Sequence, residues 1–382
     1  MSQGEVDILN ERAKNVLRWL NKEEAPPHHI EIIMTSGCNL HCLPCIARGK
    51  TEYLPKAEMS KAKILKIIDE AKELGVKSFH FSGGGEPLFR YDVAIDAIKA
   101  VKAKGMFCSI VTNGTLFKDK TIEELVRIKF DQITFSLNGP DEKTDDLIRG
   151  IKGSFKKTRK TIELFAFWKK KLGSKYPKVM IAPVVCGYNF DKAADFVELT
   201  HKLEVDDLMF QPMSVSPDCT DKSLMLSSKQ KKLFMQSLKP AKKLADSYGL
   251  NSNLDKIDKE IMEKSADMMQ DVIKSESKKF KDDDTLSIPC FSPWFFMSIK
   301  ANGTVDPCGV EEDSKENLND KSLKEIWYGK YFNDFRKRLL SKEIPERCKR
   351  CCAASVLGLT HTMREEMLKL KNKGMNKKDI QR

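Results

Sequence analysis

Ile30-Glu31-Ile32-Ile33-Met34-Thr35-Ser36-Gly37-Cys38-Asn39-Leu40-His41-Cys42-Leu43-Pro44-Cys45 is an apolar, β-branched run that gives way to a glycine and then to three cysteines. Its first six residues predict a strand. The rest predicts a loop at the C-terminal end of that strand, where three thiolates can wrap one compact metal centre. Structural zinc wants four donors, and His41 could be the fourth only if the backbone folded back sharply between two ligands. A [4Fe–4S] cluster held by three cysteines keeps one iron open for an external ligand. The residues of the loop alone leave both readings open.

Outward from the loop the sequence alternates. Strands are predicted at about 30–35, 77–82, 106–112, 131–137, 178–185 and 206–211, and helices near 60–74, 91–104, 120–128, 154–171, 190–203 and 227–247. Such alternation builds a parallel sheet with right-handed crossovers. Six βα units are too few for an eight-fold barrel, which leaves an open doubly wound sheet or an incomplete barrel. Either places the ligand site at the C-terminal strand ends. An amphipathic helix is expected over 5–22, before the break at Pro26-Pro27. Residues 251–285, rich in Lys, Asp and Ser, read as a linker. Beyond Pro289, the stretch 295–305 predicts a hairpin closed by Asn302-Gly303, with helices to follow at 322–341 and 353–373. The expected division is a helical segment over 1–28, a core over 29–250, the linker, and a C-terminal domain over 286–382.

The 382 residues suffice for two to three domains, and no run is apolar enough for a membrane span. The opening residues lack a basic, then apolar, leader, so a cytoplasmic location is expected. Eleven cysteines, an odd number in a reducing compartment, argue against a disulfide framework and for metal or redox chemistry. Lys+Arg 67 against Asp+Glu 55 gives a net charge of +12, which favours acidic partners. Lys169-Lys170-Lys171 and the basic stretch 368–378 lack interleaved aromatics and make a poor case for a nucleic-acid partner.

Cys38-x3-Cys42-x2-Cys45 after a first strand resembles the signature of the radical S-adenosylmethionine (SAM) enzymes. Phe81-Ser82-Gly83-Gly84-Gly85-Glu86-Pro87-Leu88 follows the second strand, where that family carries the loop that meets the amino group of SAM. Val111-Thr112-Asn113-Gly114 follows the third, and Phe135-Ser136-Leu137-Asn138-Gly139 the fourth, where the family places ribose contacts. Arg149 is similar to an arginine that approaches the SAM carboxylate. The resemblance covers about 29–215 and implies an incomplete (βα)6 barrel with a [4Fe–4S] cluster on Cys38, Cys42 and Cys45. Gly84, Gly85, Glu86, Asn113, Ser136, Asn138 and Arg149 are the implied SAM contacts. Pro44 and Asn138 depart from the aromatic residue and the Asp usual at those places.

A second resemblance lies near the C-terminus. Cys290-Phe291-Ser292-Pro293-Trp294, Gly303-x4-Cys308, Ser322-Leu323-x2-Ile326-Trp327 and Cys348-x2-Cys351 are similar to the SPASM/twitch extension. With no cysteine after Cys352, the pattern is that of a small α+β twitch domain with one auxiliary [4Fe–4S] cluster on Cys290, Cys308, Cys348 and Cys351. Cys352 rivals Cys351, and the spacings alone also permit a four-thiolate zinc ribbon. Cys108 reads as a small buried hydrophobe. Cys186, ending the fifth strand, and Cys219, in the loop after the sixth, are candidates to give or take a hydrogen atom.

The family implies reductive cleavage of SAM, hydrogen abstraction from a peptide or small-alcohol substrate, and an electron from reduced flavodoxin or ferredoxin. A four-cysteine auxiliary cluster has no open iron and suits an electron conduit, which favours substrate oxidation. The alternatives are a redox-neutral epimerase or rearrangement enzyme, and a non-catalytic zinc-stabilised binding protein.

Overall fold

The computed structural model describes residues 3–45, 55–213, 222–255, 257, 286–309, 314–343, 345, 348 and 354–372. The chain divides into two compact units, one of Met1–Ile32, Met59–Phe79 and Ala266–Arg382 and the other of Ile33–Glu58 and His80–Ser265. β1 (His29–Ile33) and β2 (Ser78–Ser82) each begin in the first unit and end in the second.

In the second unit β3 (Phe107–Thr112), β4 (Gln132–Phe135), β5 (Lys178–Ile181), β7 (Asp207–Leu208) and β9 (Asn251–Ser252) lie side by side and parallel. The register sets Ile110 beside Ile133, Ile133 beside Val179 and Ile181 beside Leu208. These residues are almost wholly buried, as β-branched and aliphatic side chains of a covered parallel sheet are. The crossovers are α3 (Tyr91–Ala103), α4 (Asp119–Arg127), α5 (Glu142–Arg149), α6 (Ser154–Lys171), α7 (Ala193–Lys202) and α8 (Ser228–Ser247). Helix α6 shows how they dock. Its Thr158, Ile162 and Phe165 recur at helical spacing on one buried face, and Phe165 meets Phe117 edge-on at 5.4 Å. Among the described residues the strand set does not close on itself, since β9 bonds there to β7 alone. This is the α/β fold of an incomplete barrel.

Two predicted strands each split into two short ones. The run 178–185 breaks at Ala182-Pro183 into β5 and β6 (Val184–Val185), because proline supplies no donor to continue the ladder. The run 206–211 gives β7 and then β8 (Gln211–Pro212), which pairs with β6 in a separate small parallel sheet.

The first unit joins segments far apart in sequence. Its helices are α1 (Gln3–Leu20), α2 (Lys61–Leu74), α9 (Leu323–Trp327), α10 (Lys330–Leu340) and α11 (Ala354–Asn372). The predicted hairpin is formed by β10 (Phe296–Ile299) and β11 (Val305–Asp306), antiparallel with Ser298 opposite Asp306. Its first strand also runs parallel to β1, with His29 beside Phe296 and Ile32 beside Ile299. Ala13, Val16 and Leu17 of α1 pack with Met363, Met367 and Leu370 of α11 around Phe291, Trp294 and Phe295. Where one helix is predicted over 322–341 there are two, and Gly329 caps the second.

Candidate functional site

The cysteine loop leaves β1 and is gripped residue by residue. Thr35 Oγ1 donates to Glu58 Oε1 at 2.7 Å, and the Ser36 N–H donates to the same oxygen at 2.9 Å. The Gly37 N–H donates to Thr35 Oγ1 at 2.9 Å. Arg90 Nη1 holds the Met34 carbonyl at 3.1 Å, and Arg90 Nε lies 3.5 Å from the other oxygen of Glu58. A buried carboxylate that accepts two such bonds beside a cation is strongly localised. Sequence reasoning missed Glu58 and Arg90, because an isolated Glu after Pro55-Lys56-Ala57 and an Arg opening a helix carry no motif.

The glycine-rich loop after β2 lies along the same segment. The Gly85 N–H donates to the Thr35 carbonyl and the Glu86 N–H to the Gly37 carbonyl, both at 2.8 Å. A Cβ on Gly85 would sit 1.9 Å from the Gly37 oxygen, and one on Gly84 would sit 2.8 Å from the Thr35 oxygen. These glycines therefore serve first to let two backbones approach. Glu86 is buried, and both its oxygens are used. Oε1 accepts from the Leu88 N–H at 3.1 Å and from Thr112 Oγ1 at 2.7 Å, and Oε2 from the Asn113 N–H at 2.6 Å. Burial pushes its carboxyl up, against the pull of those hydrogen bonds.

Asn113 is the hub between loops. Its Nδ2 donates to Asn39 Oδ1 at 2.9 Å, inside the cysteine loop, while its Oδ1 accepts from the Thr115 N–H and hydroxyl at 2.9 and 2.7 Å. Its carbonyl accepts from Thr158 Oγ1 at 2.7 Å and from Arg149 Nη2. Arg149 has no exposed surface, and its Nη1 reaches Asp145 at 3.2 Å and Thr158 at 2.9 Å. The far side of the cysteine loop rests on the C-terminal carbonyls of α5, which helix geometry leaves unsatisfied. The His41 N–H donates to the Arg149 carbonyl at 3.2 Å and the Leu43 N–H to that of Ile148 at 2.8 Å.

The loop after β4 is tied to the same helix. Asp145 Oδ1 accepts from the N–H groups of Asn138 and Gly139 at 2.8 and 3.1 Å. Asn138 Oδ1 accepts from the Val184 N–H at 2.9 Å, and Asn189 Nδ2 bridges the Asn138 and Val184 carbonyls at 2.8 Å each. Ser136 stands at the end of β4 with a half-buried side chain. Cys186 is fully buried in a small apolar group with Ile148 and Leu224, against which Leu43, Tyr188 and Met213 pack. Burial pushes its thiol up.

Cys38 and Cys45 reach solvent, and Cys42 is half-buried. The thiols feel one another. Burial pushes Cys42 up to about 12, opposed by the Arg149 guanidinium and reinforced by Cys45 and Cys38. Cys38 is raised chiefly by partial burial, against the Leu40 N–H, which donates to its sulfur at 3.5 Å. Among the described residues no three His, Cys, Asp or Glu side chains converge on a single-ion site. A cubane spreads its thiolates over separate irons. Three mutually interacting thiols on one held loop, two of them open to solvent, fit the [4Fe–4S] group that the resemblance implies, with metal binding supplying the drive to deprotonate them.

In the first unit Cys290 and Cys348 are half-buried and pack against one apolar core, and Cys308 is half-buried just beyond β11. Cys219, Cys351 and its rival Cys352 lie outside the described residues. Cys108 is buried in β3, and His80 of β2 bonds Ser109 Oγ at 2.7 Å.

Two family models match the chain, the radical SAM superfamily over residues 32–200 and the SPASM iron–sulfur cluster-binding domain over 290–352. An AdoMet-dependent heme synthase of Methanosarcina barkeri is 34% identical over 139 residues, which cover 36% of this chain and 39% of that protein. A PqqA peptide cyclase of Granulibacter bethesdensis is 33% identical over 139 residues, 36% of each chain. The chain thus spans about two fifths or less of the length of these curated relatives. Among solved structures, Streptococcus suis SuiB bound to S-adenosylmethionine superposes with a TM-score of 0.60 at 19% identity, covering 90% of this chain and 76% of that one. Native anSMEcpe with bound AdoMet gives 0.58 at 17%, covering 91% and 97%. Residues 32–200 thus match the radical SAM superfamily, whose domain implies a [4Fe–4S] cluster and SAM, and residues 290–352 match the SPASM domain, which implies further iron–sulfur binding.

Proposed function

We propose that this chain is a radical SAM oxidoreductase that abstracts hydrogen from a peptide and passes the second electron to one auxiliary [4Fe–4S] cluster on Cys290, Cys308, Cys348 and Cys351. The observation that carries this reading is the packing of Cys290 and Cys348, far apart in sequence, on one core. Four cysteine ligands leave no open iron, so such a cluster serves electron transfer. A peptide substrate is favoured over a small alcohol by the likeness to a PqqA peptide cyclase and to SuiB, which has been solved with its precursor peptide SuiA.

When bound, the cluster on Cys38, Cys42 and Cys45 supplies one electron to SAM, whose cleavage provides the radical that takes a substrate hydrogen atom. Around it the chain holds the cysteine loop still. Glu58 and Arg90 fix its start, Asn113 its middle and the α5 carbonyls its end, so little is left to reorganise. Ser136, with its half-buried hydroxyl, and Asn138 are proposed to face the ribose, with Gly84, Gly85, Glu86 and Arg149 shaping the amino-acid end of SAM. A cluster held by Cys290, Cys308, Cys348 and Cys351 would supply an acceptor for the second electron of a substrate oxidation, with the accompanying proton released to solvent or a base. Reduced flavodoxin or ferredoxin is the proposed donor, acidic proteins suited to a chain of net charge +12. A cytoplasmic location follows from that donor. No described helix is long and apolar enough to cross a membrane. The redox-neutral alternative requires a thiol that meets substrate, and Cys186 is enclosed by apolar side chains.

Cys308→Ala tests the proposal. The variant should cleave SAM and yield 5′-deoxyadenosine yet fail to complete substrate oxidation. Deuterium transferred from labelled candidate peptides into 5′-deoxyadenosine identifies the substrate. Normal product yield from a folded Cys308→Ala chain lacking auxiliary iron would overturn the conduit.

A further inference from the structure

One face of α5 is exposed and leads directly to the cysteine loop. Lys143, Leu147 and Gly150 succeed one another at helical spacing, and all three are exposed. Leu147 is 52% exposed, and the half-buried Leu43 packs on its neighbour Ile148. Gly150, just past the helix, abuts the loop. A Cβ there would sit 2.6 Å from the His41 carbonyl oxygen and 3.2 Å from the His41 Cβ. His41 is itself exposed. The hydrogen bonds from the His41 N–H to Arg149 and from the Leu43 N–H to Ile148 fall one on each side of Cys42. The last turn of α5 is thus a piece of surface joined by two short backbone links to a candidate cluster ligand.

The charges of this segment are not balanced at its surface. Asp141 accepts from the Thr144 N–H at 2.8 Å and lies 3.4 Å from Lys192, and Glu142 lies 3.2 Å from Lys156. Asp145 is wholly buried. Asp146 accepts from the Gly153 N–H, and from Ser154 Oγ and the Phe155 N–H at 2.9 Å each. Every acid is therefore engaged. Lys143 and Lys152 are exposed and meet no carboxylate at salt-bridge distance among the described residues. An apolar centre with a cationic rim has the composition of a docking face for an acidic protein.

We propose that the exposed face of α5, with Lys143 and Lys152 around Leu147, is where an acidic one-electron carrier protein docks to reduce the cluster on Cys38, Cys42 and Cys45. The inference rests on the reading of that cluster and of its protein donor, and gives the donor a surface. In the docked pair the reduced carrier loses one electron and the cluster gains it, and no bond breaks. A redox encounter needs only a small interface, below about 1,200 Å². Charge complementarity then raises the rate of encounter, most of all at low salt.

The test uses the full-length chain with its clusters reconstituted anaerobically, and reduced flavodoxin and reduced ferredoxin as parallel probes. Lys143→Glu/Lys152→Glu reverses the rim. Lys171→Glu/Lys175→Glu makes the same charge change at the opposite end of α6 and serves as control. The rim variant should lose about ten-fold in the second-order rate of carrier-driven 5′-deoxyadenosine formation at low salt. Calorimetry should show weakened binding of the oxidised carrier to match. With dithionite as the electron source the rim variant should equal the wild type, since a small reductant needs no docking face. Should the rim variant misfold, Lys143→Gln/Lys152→Gln carries the test with a smaller loss. An unaltered carrier-driven rate and affinity, or equal losses in rim and control variants, overturn the docking face. So does a wild-type chain that dithionite drives and neither carrier does. A wild-type chain that dithionite cannot drive would instead overturn the reading of the cluster itself.

Discussion

At residue 85 a Cβ would stand 1.9 Å from the Gly37 carbonyl oxygen, a distance no packing adjustment of side chains can relieve, because both partners are backbone. Gly85→Ala should therefore push the glycine-rich loop off the cysteine loop and break the paired bonds to Thr35 and Gly37. We expect a cost of about 1–3 kcal/mol from overpacking. The larger effect should be loss of about four irons, those on Cys38, Cys42 and Cys45, with the auxiliary signal retained. Iron analysis with electron paramagnetic resonance checks it, and full occupancy of the first cluster would refute it. The identity of this glycine was legible in the sequence, but its contact was not. A glycine run after a strand says that something approaches closely, and only the fold says that it is Gly37. Glu86 and Arg149 teach the same lesson: the sequence marked both residues, but not that Glu86 accepts from the Asn113 N–H or that Arg149 donates to Thr158.

Among elements, the strands and most helices were legible because each buries an apolar stripe. Helix α5 was not expected, and the reason is physical. Its buried face carries Thr144, Asp145, Ile148 and Arg149, so the signal of apolar periodicity is missing although the Asp141 cap is present. Another element that depends on a polar group is the entry to β1. His28 is buried, with Arg12 Nε 3.4 Å from its Nδ1. Burial lowers its imidazole to about 3, with Arg12 and Lys77 adding to the effect. The folded chain thus keeps His28 neutral while the unfolded chain protonates it near its ordinary value of about 6.5. Stability from this site is complete above that value and falls as pH drops toward about 3. Melting of the cluster-free chain should show this slope, and His28→Gln should flatten it. An unchanged slope would remove His28 from the account.

On the scale of the whole molecule, two cysteine groups and the order of strand-end motifs carried most of what could be read in advance. What stayed hidden is long-range pairing. Nothing local in Phe296–Ile299 says that it runs parallel to His29–Ile33, and Ser298 meets Glu31 across 267 positions of sequence. Local periodicity names elements and turns, but which distant strand lies beside another depends on chain topology. The central claim concerns the first cysteine group, and its most direct measurement is 5′-deoxyadenosine formed from SAM under a strong reductant. The full chain should form it, and the Cys38→Ala, Cys42→Ala, Cys45→Ala triple variant should form none while keeping its fold and its auxiliary iron. Continued reductive cleavage of SAM by that variant would contradict the account.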